Sequence, residues 1–142
     1  MDTKSKADIA ESAVATELLR RNFRVLKPVG DRLPYDLGVD IDGKLVKIQV
    51  KSAWKRGDVY LVDSRRTKTN RRRMIHSRYE AGDFDFAILH IDDLSTFYIV
   101  PHKIFCSYRS EITLSGKVSR QRPPRSGQYR EAWGFLNSCR TP

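Results

Sequence analysis

"PYDLGVDIDGKLVKIQVKS", residues 34–52, alternates between apolar and polar residues on both sides of an Asp-Gly pair. The alternation predicts two strands, over residues 36–41 and 45–52, because successive side chains of a strand point to opposite faces of a sheet. The pair Asp42-Gly43 between them is typical of a tight hairpin turn, which requires positive φ angles. We therefore expect an antiparallel hairpin around which the rest of the fold is organised.

Three polar side chains of this hairpin are expected to converge. Gln49 and Lys51 leave the same face of their strand, and a register centred on the turn brings Asp36 back towards them. The side chain of Val50 points to the opposite face, which leaves its carbonyl oxygen as a further donor. A carboxylate, an amide oxygen and a main-chain oxygen suit Mg²⁺, for which we expect Mn²⁺ to substitute. The alternative is a surface hairpin whose polar residues are only solvated.

Lys51 adds a cation to this group of oxygen donors. Its ammonium could orient or help to deprotonate an attacking water, or offset the charge that develops on a phosphorus atom. Lys51 thus gives the hairpin a group that phosphodiester hydrolysis could use, and the solvated surface hairpin stays open as the alternative.

An amphipathic helix is predicted upstream, over residues 8–21. Its apolar face follows intervals of three or four residues and includes Glu11 among Ala7, Val14, Ala15 and Leu18. A carboxylate on or beside a buried face is costly unless it is paired or binds a metal. Glu11 is thus a candidate metal ligand, or a helix carboxylate paired with a lysine at the edge of the core.

The remaining apolar runs predict further strands and a closing helix. The strands are expected within residues 23–30, 58–64, 84–91, 96–101 and 111–115, and the helix over residues 129–138. This order predicts an α/β or α+β domain in which helices flank a central mixed sheet. The length of 142 residues predicts one domain, spanning residues 1–142.

The charge balance points to a polyanionic partner. Lys and Arg outnumber Asp and Glu by 27 to 17, for a formal charge of +10, and nucleic acid is the first expectation for such a surplus. No apolar run approaches the roughly 18 residues of a spanning helix, and no signal-peptide core follows Met1. We expect a cytoplasmic protein without a membrane partner, whose two cysteines are reduced.

Two basic loops are expected to contact DNA. One covers residues 64–79 and the other residues 119–130. Their candidate contacts are Arg65, Arg66, Lys68, Thr69, Asn70, Arg71, Arg72, Arg73, Arg120, Arg122 and Arg125. Mixed basic and polar side chains can reach both phosphates and base edges. A solvated loop is the alternative for the first segment, and a stiff turn at "RPPR" is the alternative for the second.

The order Pro-x-Asp, hairpin, Gln-x-Lys resembles the signature of the PD-(D/E)XK nucleases. More of the chain resembles one branch, the homing endonucleases encoded in bacterial group I introns. This wider likeness includes "MDTKSKADIAESA", "VLKPVGDRLPYDLGVDIDGKLVKIQVKSAWK", "RRTKTNRRR", "DFDFAIL" and "RQRPPRSGQYREAW". It implies a restriction-endonuclease-like core, active-site residues at Glu11, Asp36, Gln49 and Lys51, and assembly as a homotetramer. Gln49 stands where the superfamily usually has an acid, so the expected affinity for metal is modest.

The function expected from this resemblance is metal-dependent cleavage of both strands of a long double-stranded DNA target. Two alternatives stay open. One is a junction-resolving nuclease of the same superfamily, which would read the shape of branched DNA. The other is a non-catalytic, intron-associated module that binds nucleic acid.

Overall fold

The computed structural model describes residues 2–69, 74–115 and 124–141, in which a central sheet lies between one long helix and a smaller sheet. The strands of the described residues, in chain order, are β1 (Arg24–Leu26), β2 (Leu37–Ile41), β3 (Lys44–Ser52), β4 (Trp54–Arg56), β5 (Val59–Asp63), β6 (Arg66–Thr69), β7 (Met74–Ser77), β8 (Phe86–Ile91), β9 (Thr96–Pro101) and β10 (Glu111–Ser115). The helices are α1 (Thr3–Arg20), α2 (His102–Phe105) and α3 (Gly134–Asn137), with a 3₁₀ turn at Arg125–Tyr129.

Helix α1 begins earlier than the apolar spacing predicts. Asp2 caps it, because its side chain accepts a hydrogen bond from the backbone N–H of Ser5 at 2.7 Å. The helix ends before Asn22, whose φ of 66° lies in the left-handed region that Asn tolerates. Within the described part of the chain, no helix is long and apolar enough to cross a membrane.

The hairpin of β2 and β3 has the predicted turn and register. Ile41 pairs with Lys44, so the loop consists of Asp42 and Gly43 alone. Their φ angles are 53° and 82°, as a two-residue turn of this hand requires. The same register pairs Leu37 with Ile48, so Asp36, directly before β2, lies opposite Gln49.

A mixed five-stranded sheet forms the centre of the fold, in the order β1-β2-β3-β8-β9. Strands β3 and β8 run parallel, and the other neighbours run antiparallel. Helix α1 packs on one face through Ala10, Val14 and Leu18. The smaller sheet β10-β5-β4 packs on the opposite face. Strand β8 is buried on both sides, which agrees with the nearly continuous apolar run of its sequence.

The sequence led us to expect a loop over residues 64–79, but part of this basic segment forms two strands. Strands β6 and β7 pair antiparallel within it, from Arg66 opposite Ser77 to Thr69 opposite Met74. Threonines and a β-branched isoleucine on these strands favour pairing despite the charge. The segment is therefore a hairpin, called the basic hairpin below.

The predicted closing helix over residues 129–138 is reduced to the single turn α3. Glu131 interrupts it with a φ of 51°. Its backbone N–H donates to the carbonyl of Phe97 at 2.7 Å, and its carboxylate accepts from the N–H of Phe97 and from Nε1 of Trp133, at 2.9 and 2.7 Å. These bonds attach the segment to the edge of β9 and prevent helical backbone there.

Candidate active site

A cavity of about 510 Å³ lies beside α1, where β3 runs on past β2. Five of the candidate residues named from the sequence line it. They are Glu11, Asp36, Gln49, Val50 and Lys51. Strand β3 pairs with β2 only as far as Ile48, so its last four residues, 49–52, present an open edge to this cavity.

Asp36 occupies the open edge of β3. Its backbone N–H donates to the carbonyl of Ile48 at 2.9 Å, which extends the ladder by one bond. Its Oδ2 accepts from the backbone N–H of Val50 at 2.8 Å and from Nε2 of Gln49 at 2.9 Å. The predicted convergence of Asp36 with Gln49 is thus observed, and it follows from the register.

The carbonyl oxygen of Val50 faces the same edge. In a strand the N–H and C=O of one residue point to the same side, and the N–H of Val50 is held by Asp36. Nε2 of Gln49 lies 3.4 Å from that carbonyl oxygen. The side chain of Val50 points to the predicted opposite face, where it packs in the core beneath α1.

Burial raises the pKa of Asp36, the nearby carboxylate of Glu11 adds to the rise, and the net value is about 6. The N–H of Val50 and the ammonium of Lys51 oppose these effects and do not cancel them. Glu11 lies at the mouth of the cavity, where Nζ of Lys27 pairs with it at 3.2 Å. The lysine side chain is 74% exposed, so this pair is weak. Two carboxylates thus share this site, with Lys51 and the exposed Lys27 as neighbouring cations.

Lys51 points into the cavity from the strand that carries Gln49. Its Nζ donates to the carbonyl oxygen of Arg65 at 3.0 Å and lies 5.2 Å from the ring centroid of Tyr79. Burial lowers the pKa of Lys51, while Asp63 and Asp36 act in the opposite direction.

Asp63, at the end of β5, also lines the cavity. Its Oδ1 accepts from the backbone N–H of Arg65 at 2.8 Å and from Nε of that arginine at 3.1 Å, and its Oδ2 accepts from Nη2 at 3.1 Å. Burial would raise the pKa of Asp63, but these bonds outweigh it and the net shift is downward.

The donor set fits a hard divalent cation. Within the described residues, no three His, Cys, Asp or Glu side chains cluster closely enough to hold a metal ion. A cation would therefore bind to Asp36 and Glu11 with neutral oxygens, from the carbonyl of Val50 and the amide of Gln49, and complete its shell with water or phosphate. Asp36 is partly buried beside the carboxylate of Glu11, and a divalent cation would offset the cost of both charges.

A second cavity, of about 130 Å³, lies on the other side of Tyr79 and is lined by arginines. Arg65, Arg78 and Arg109 surround it. Nη2 of Arg78 donates to the carbonyl of Tyr108 at 3.4 Å, and the guanidinium of Arg125 stacks 4.2 Å above the ring of that tyrosine. Arg125, from the second predicted basic segment, thus lies close to the base of the first.

The other predicted DNA contacts are placed only in part. Arg66 begins β6, and Lys68 and Thr69 belong to that strand. Asn70, Arg71, Arg72, Arg73, Arg120 and Arg122 lie outside the described residues. The structure therefore describes the base of the basic hairpin and the end of the second basic segment.

Sequence reasoning did not select three residues near the site, namely Asp63, Tyr79 and Arg109. Asp63 and Arg109 come from parts of the chain that only tertiary packing brings here. One signal for Asp63 was available, since it is an acid at the end of a predicted strand directly before a basic run.

The family model of the PD-(D/E)XK endonucleases matches residues 1–136 of the chain. The chain therefore belongs to the PD-(D/E)XK endonuclease family and is a DNA endonuclease, as expected. Among solved structures it is similar to a bacterial homing endonuclease, I-Ssp6803I, with 48% sequence identity and a TM-score of 0.89. The match covers 97% of this chain and 95% of that chain. No curated protein sequence matches significantly.

The match confirms the predicted fold class, a restriction-endonuclease-like mixed sheet with flanking helices. Membership also implies DNA as a partner and a divalent metal ion as a cofactor, because PD-(D/E)XK nucleases generally use such ions.

Proposed function

We propose that this endonuclease is a homing endonuclease, which cleaves both strands of a long, specific DNA site by hydrolysis of phosphodiesters. The observation that carries this is the group Asp36, Gln49 and Lys51 in one cavity, on a chain 48% identical to a bacterial homing endonuclease. A group I intron is the proposed setting of its gene, and the cytoplasm is the proposed site of action.

Mg²⁺ is the proposed cofactor, with Mn²⁺ as a substitute. Glu11, Asp36, Gln49 and Val50 would hold it. A divalent cation bound by these oxygens would supply Lewis-acid activation at the scissile phosphate. Coordination by Gln49 requires its amide to rotate by half a turn, because Nε2 now faces Asp36 and the carbonyl of Val50.

Lys51 is the proposed catalytic cation. Lys51 lines the cavity that holds Asp36, and its partly buried ammonium would lie within reach of a water that attacks the phosphorus. From there the ammonium can orient that water and stabilise the negative charge on the phosphoryl oxygens. Partial desolvation strengthens both effects, because charges interact more strongly away from bulk water.

The base of the basic hairpin is the proposed entrance for DNA. Arg65, Arg78 and Arg109 line the small cavity that adjoins Tyr79, and Tyr79 in turn lies beside Lys51. A duplex whose scissile phosphate reached Lys51 would bring neighbouring phosphates to these guanidinium groups. Arginine suits this task since its planar group can donate two parallel hydrogen bonds to phosphate.

A homotetramer is the proposed working assembly. A single DNA-binding module covers roughly 600–1,000 Å² of protein surface, which is small for a site rare enough to occur once in a genome. Two copies on one duplex would double the readout and give each strand its own active site.

The test is cleavage of a plasmid that carries the uninterrupted locus, the sequence left when the gene and its surrounding intron are removed. The parent protein with Mg²⁺ should cut both strands at one position there, and the Lys51→Ala variant should not. An intact plasmid would contradict a homing function. Cleavage of a synthetic four-way junction of unrelated sequence would instead favour a junction-resolving nuclease.

A further inference from the structure

The two chain segments that flank the basic hairpin both contact Lys51. Arg65, directly before β6, accepts a hydrogen bond from Nζ through its carbonyl oxygen at 3.0 Å. Tyr79 follows β7 and presents its ring 5.2 Å from Nζ. The ammonium is thus held by backbone and ring atoms from both ends of the hairpin, in addition to its own strand.

Asp63 fixes the segment that carries the accepting carbonyl. All three of its hydrogen bonds described above go to Arg65, one of them to the backbone N–H at 2.8 Å. Both carboxylate oxygens are thereby engaged. An acceptor that holds the N–H of a residue restricts the peptide units on either side, and so restricts where the carbonyl of Arg65 can point.

We propose that Asp63 is a positioning residue, which sets the location of the Lys51 ammonium through the backbone of Arg65. The proposal rests on the function proposed above, since it assigns Lys51 to the reaction. Asp63 does not touch the reacting atoms in this account. Its effect is transmitted by two hydrogen bonds in series: the N–H of Arg65 donates to the carboxylate of Asp63, and Nζ of Lys51 donates to the carbonyl oxygen of Arg65.

Direct binding of the cation by Asp63 is the competing explanation, because this carboxylate lines the same cavity as Asp36. The two accounts differ in their response to substitution. Asp63→Asn keeps an oxygen that can accept from the N–H of Arg65 and loses the charge, so a positioning role should survive it and a ligand role should not. Arg65→Ala keeps the N–H and carbonyl and loses only the guanidinium.

The variants Asp63→Ala, Asp63→Asn and Arg65→Ala are compared with the parent in three measurements. These are the single-turnover cleavage rate at saturating DNA, DNA affinity without divalent metal, and the Mg²⁺ concentration for half-maximal rate. Asp40→Ala is the matched control. Oδ1 of Asp40 also accepts from a backbone N–H, that of Gly43 at 2.9 Å, but at the turn between β2 and β3, away from Lys51.

We expect Asp63→Ala to lower the rate about a hundredfold, the scale for displacing a catalytic group by about 1 Å, with unchanged Mg²⁺ requirement and DNA affinity. Asp63→Asn should lose less than about tenfold. Arg65→Ala should weaken DNA binding, because its guanidinium lines the arginine-rich cavity. An unchanged rate in Asp63→Ala would overturn the proposal, as would a raised Mg²⁺ requirement in either Asp63 variant.

A measurement without DNA separates this proposal from the proposed function. Reductive methylation of Lys51, followed by mass spectrometry, reports how firmly its amine is held even if no target is cut. Loss of the anchor should make the amine of Lys51 about fivefold more reactive in Asp63→Ala, with Lys55 as the internal reference. Equal reactivity in folded parent and variant would contradict the positioning role. If Asp63→Ala is not folded, Asp63→Asn takes its place in both experiments. The amine of Lys51 should then show a smaller rise in reactivity, and the Mg²⁺ requirement of cleavage should be unchanged.

Discussion

The carboxylate of Asp36 takes the place of a missing strand at the backbone of Val50, with 2.8 Å between Oδ2 and the amide nitrogen. The bond satisfies a donor that the end of β2 leaves unpaired, and it holds the carboxylate in a buried position. Burial and the neighbouring Glu11 give this group a pKa of about 6, from an ordinary value of 3.8. The protein without metal therefore carries an ionisable group whose charge is disfavoured by the fold.

Asp36→Asn should stabilise the metal-free protein at neutral pH. Because the folded pKa of Asp36 is raised, the protonated carboxyl stabilises the fold fully below pH 3.8, and this contribution is lost as pH rises through about 6. The Asn variant has no such loss. Between pH 3.8 and about 6, its free energy of unfolding relative to that of the parent should therefore rise by about 2 to 3 kcal/mol. Chemical denaturation from pH 4 to 8 in EDTA checks this, and a pH-independent difference would contradict it.

Mg²⁺ should reverse the order of stability of these two proteins. A ligand that binds only the folded state stabilises it by mass action, and the parent has the anionic ligand that Asp36→Asn lacks. Thermal unfolding at pH 8 with increasing Mg²⁺ should raise the melting temperature of the parent and leave that of the variant nearly constant. Equal shifts in both proteins would show that Asp36 does not bind the ion.

Lys51→Ala should separate chemistry from binding. The substitution removes the ammonium from the cavity and leaves the arginine-lined surface unchanged, so cleavage should fall by at least about a hundredfold while DNA affinity stays within about twofold. Extra Mg²⁺ should not restore the rate, because no metal ligand is lost. Lys55→Ala is the matched control, since this exposed lysine of β4 lies only a few residues downstream. Full activity of Lys51→Ala in single-turnover assays would exclude the proposed role.

Arginines at the base of the basic hairpin should contribute to the salt dependence of DNA binding. Three single substitutions test this, Arg66→Ala, Arg78→Ala and Arg109→Ala. Each should reduce the slope of log affinity against log salt by about 0.9 if the side chain contacts one phosphate. Arg20→Ala provides the control, because this side chain is 75% exposed on α1, away from the cavity. Titrations at several salt concentrations that return the parent slope for all three variants would place the DNA surface elsewhere.

The central part of the site was predictable because it is local in sequence. Asp42-Gly43 and the alternation of the strands determine the register, and the register sets Asp36 opposite Gln49. The surroundings of Lys51 were not predictable in this way. Asp63 and the carbonyl of Arg65 reach it only because the second sheet packs on the face of the first, a contact that no periodicity encodes.

The C-terminal segment shows a different limit of sequence reasoning. Residues 129–138 have a composition compatible with a helix, but Glu131 makes three hydrogen bonds to Phe97 and Trp133 that hold the backbone on the edge of β9. Tertiary hydrogen bonds of this kind outweigh the small differences in helix propensity.

Self-association should accompany activity. We expect sedimentation velocity to show an assembly larger than a monomer at the concentrations that support cleavage, and the target to be partly palindromic, because two-fold related copies read equivalent half-sites. A monomer that retains full double-strand cleavage would contradict this expectation. DNA with one half-site deleted provides the control, and it should bind more weakly and be cut more slowly.

Gln49→Glu should make the site more dependent on metal. In the free protein Nε2 of Gln49 donates to Oδ2 of Asp36 at 2.9 Å, and a carboxylate in its place puts two anions in contact. Like charges at this distance raise the pKa of the pair, so the metal-free variant should be less stable than the parent near pH 8.

The added charge should at the same time tighten binding of Mg²⁺, measurable as heat of binding by isothermal titration or as a lower Mg²⁺ concentration for half-maximal stabilisation. Gln49→Met is the matched control, because it keeps the volume and removes both the donor and the oxygen. If Gln49→Glu bound Mg²⁺ no more tightly than the parent, the oxygen at residue 49 would not face the ion, and the proposed ligand set would reduce to Glu11, Asp36 and Val50.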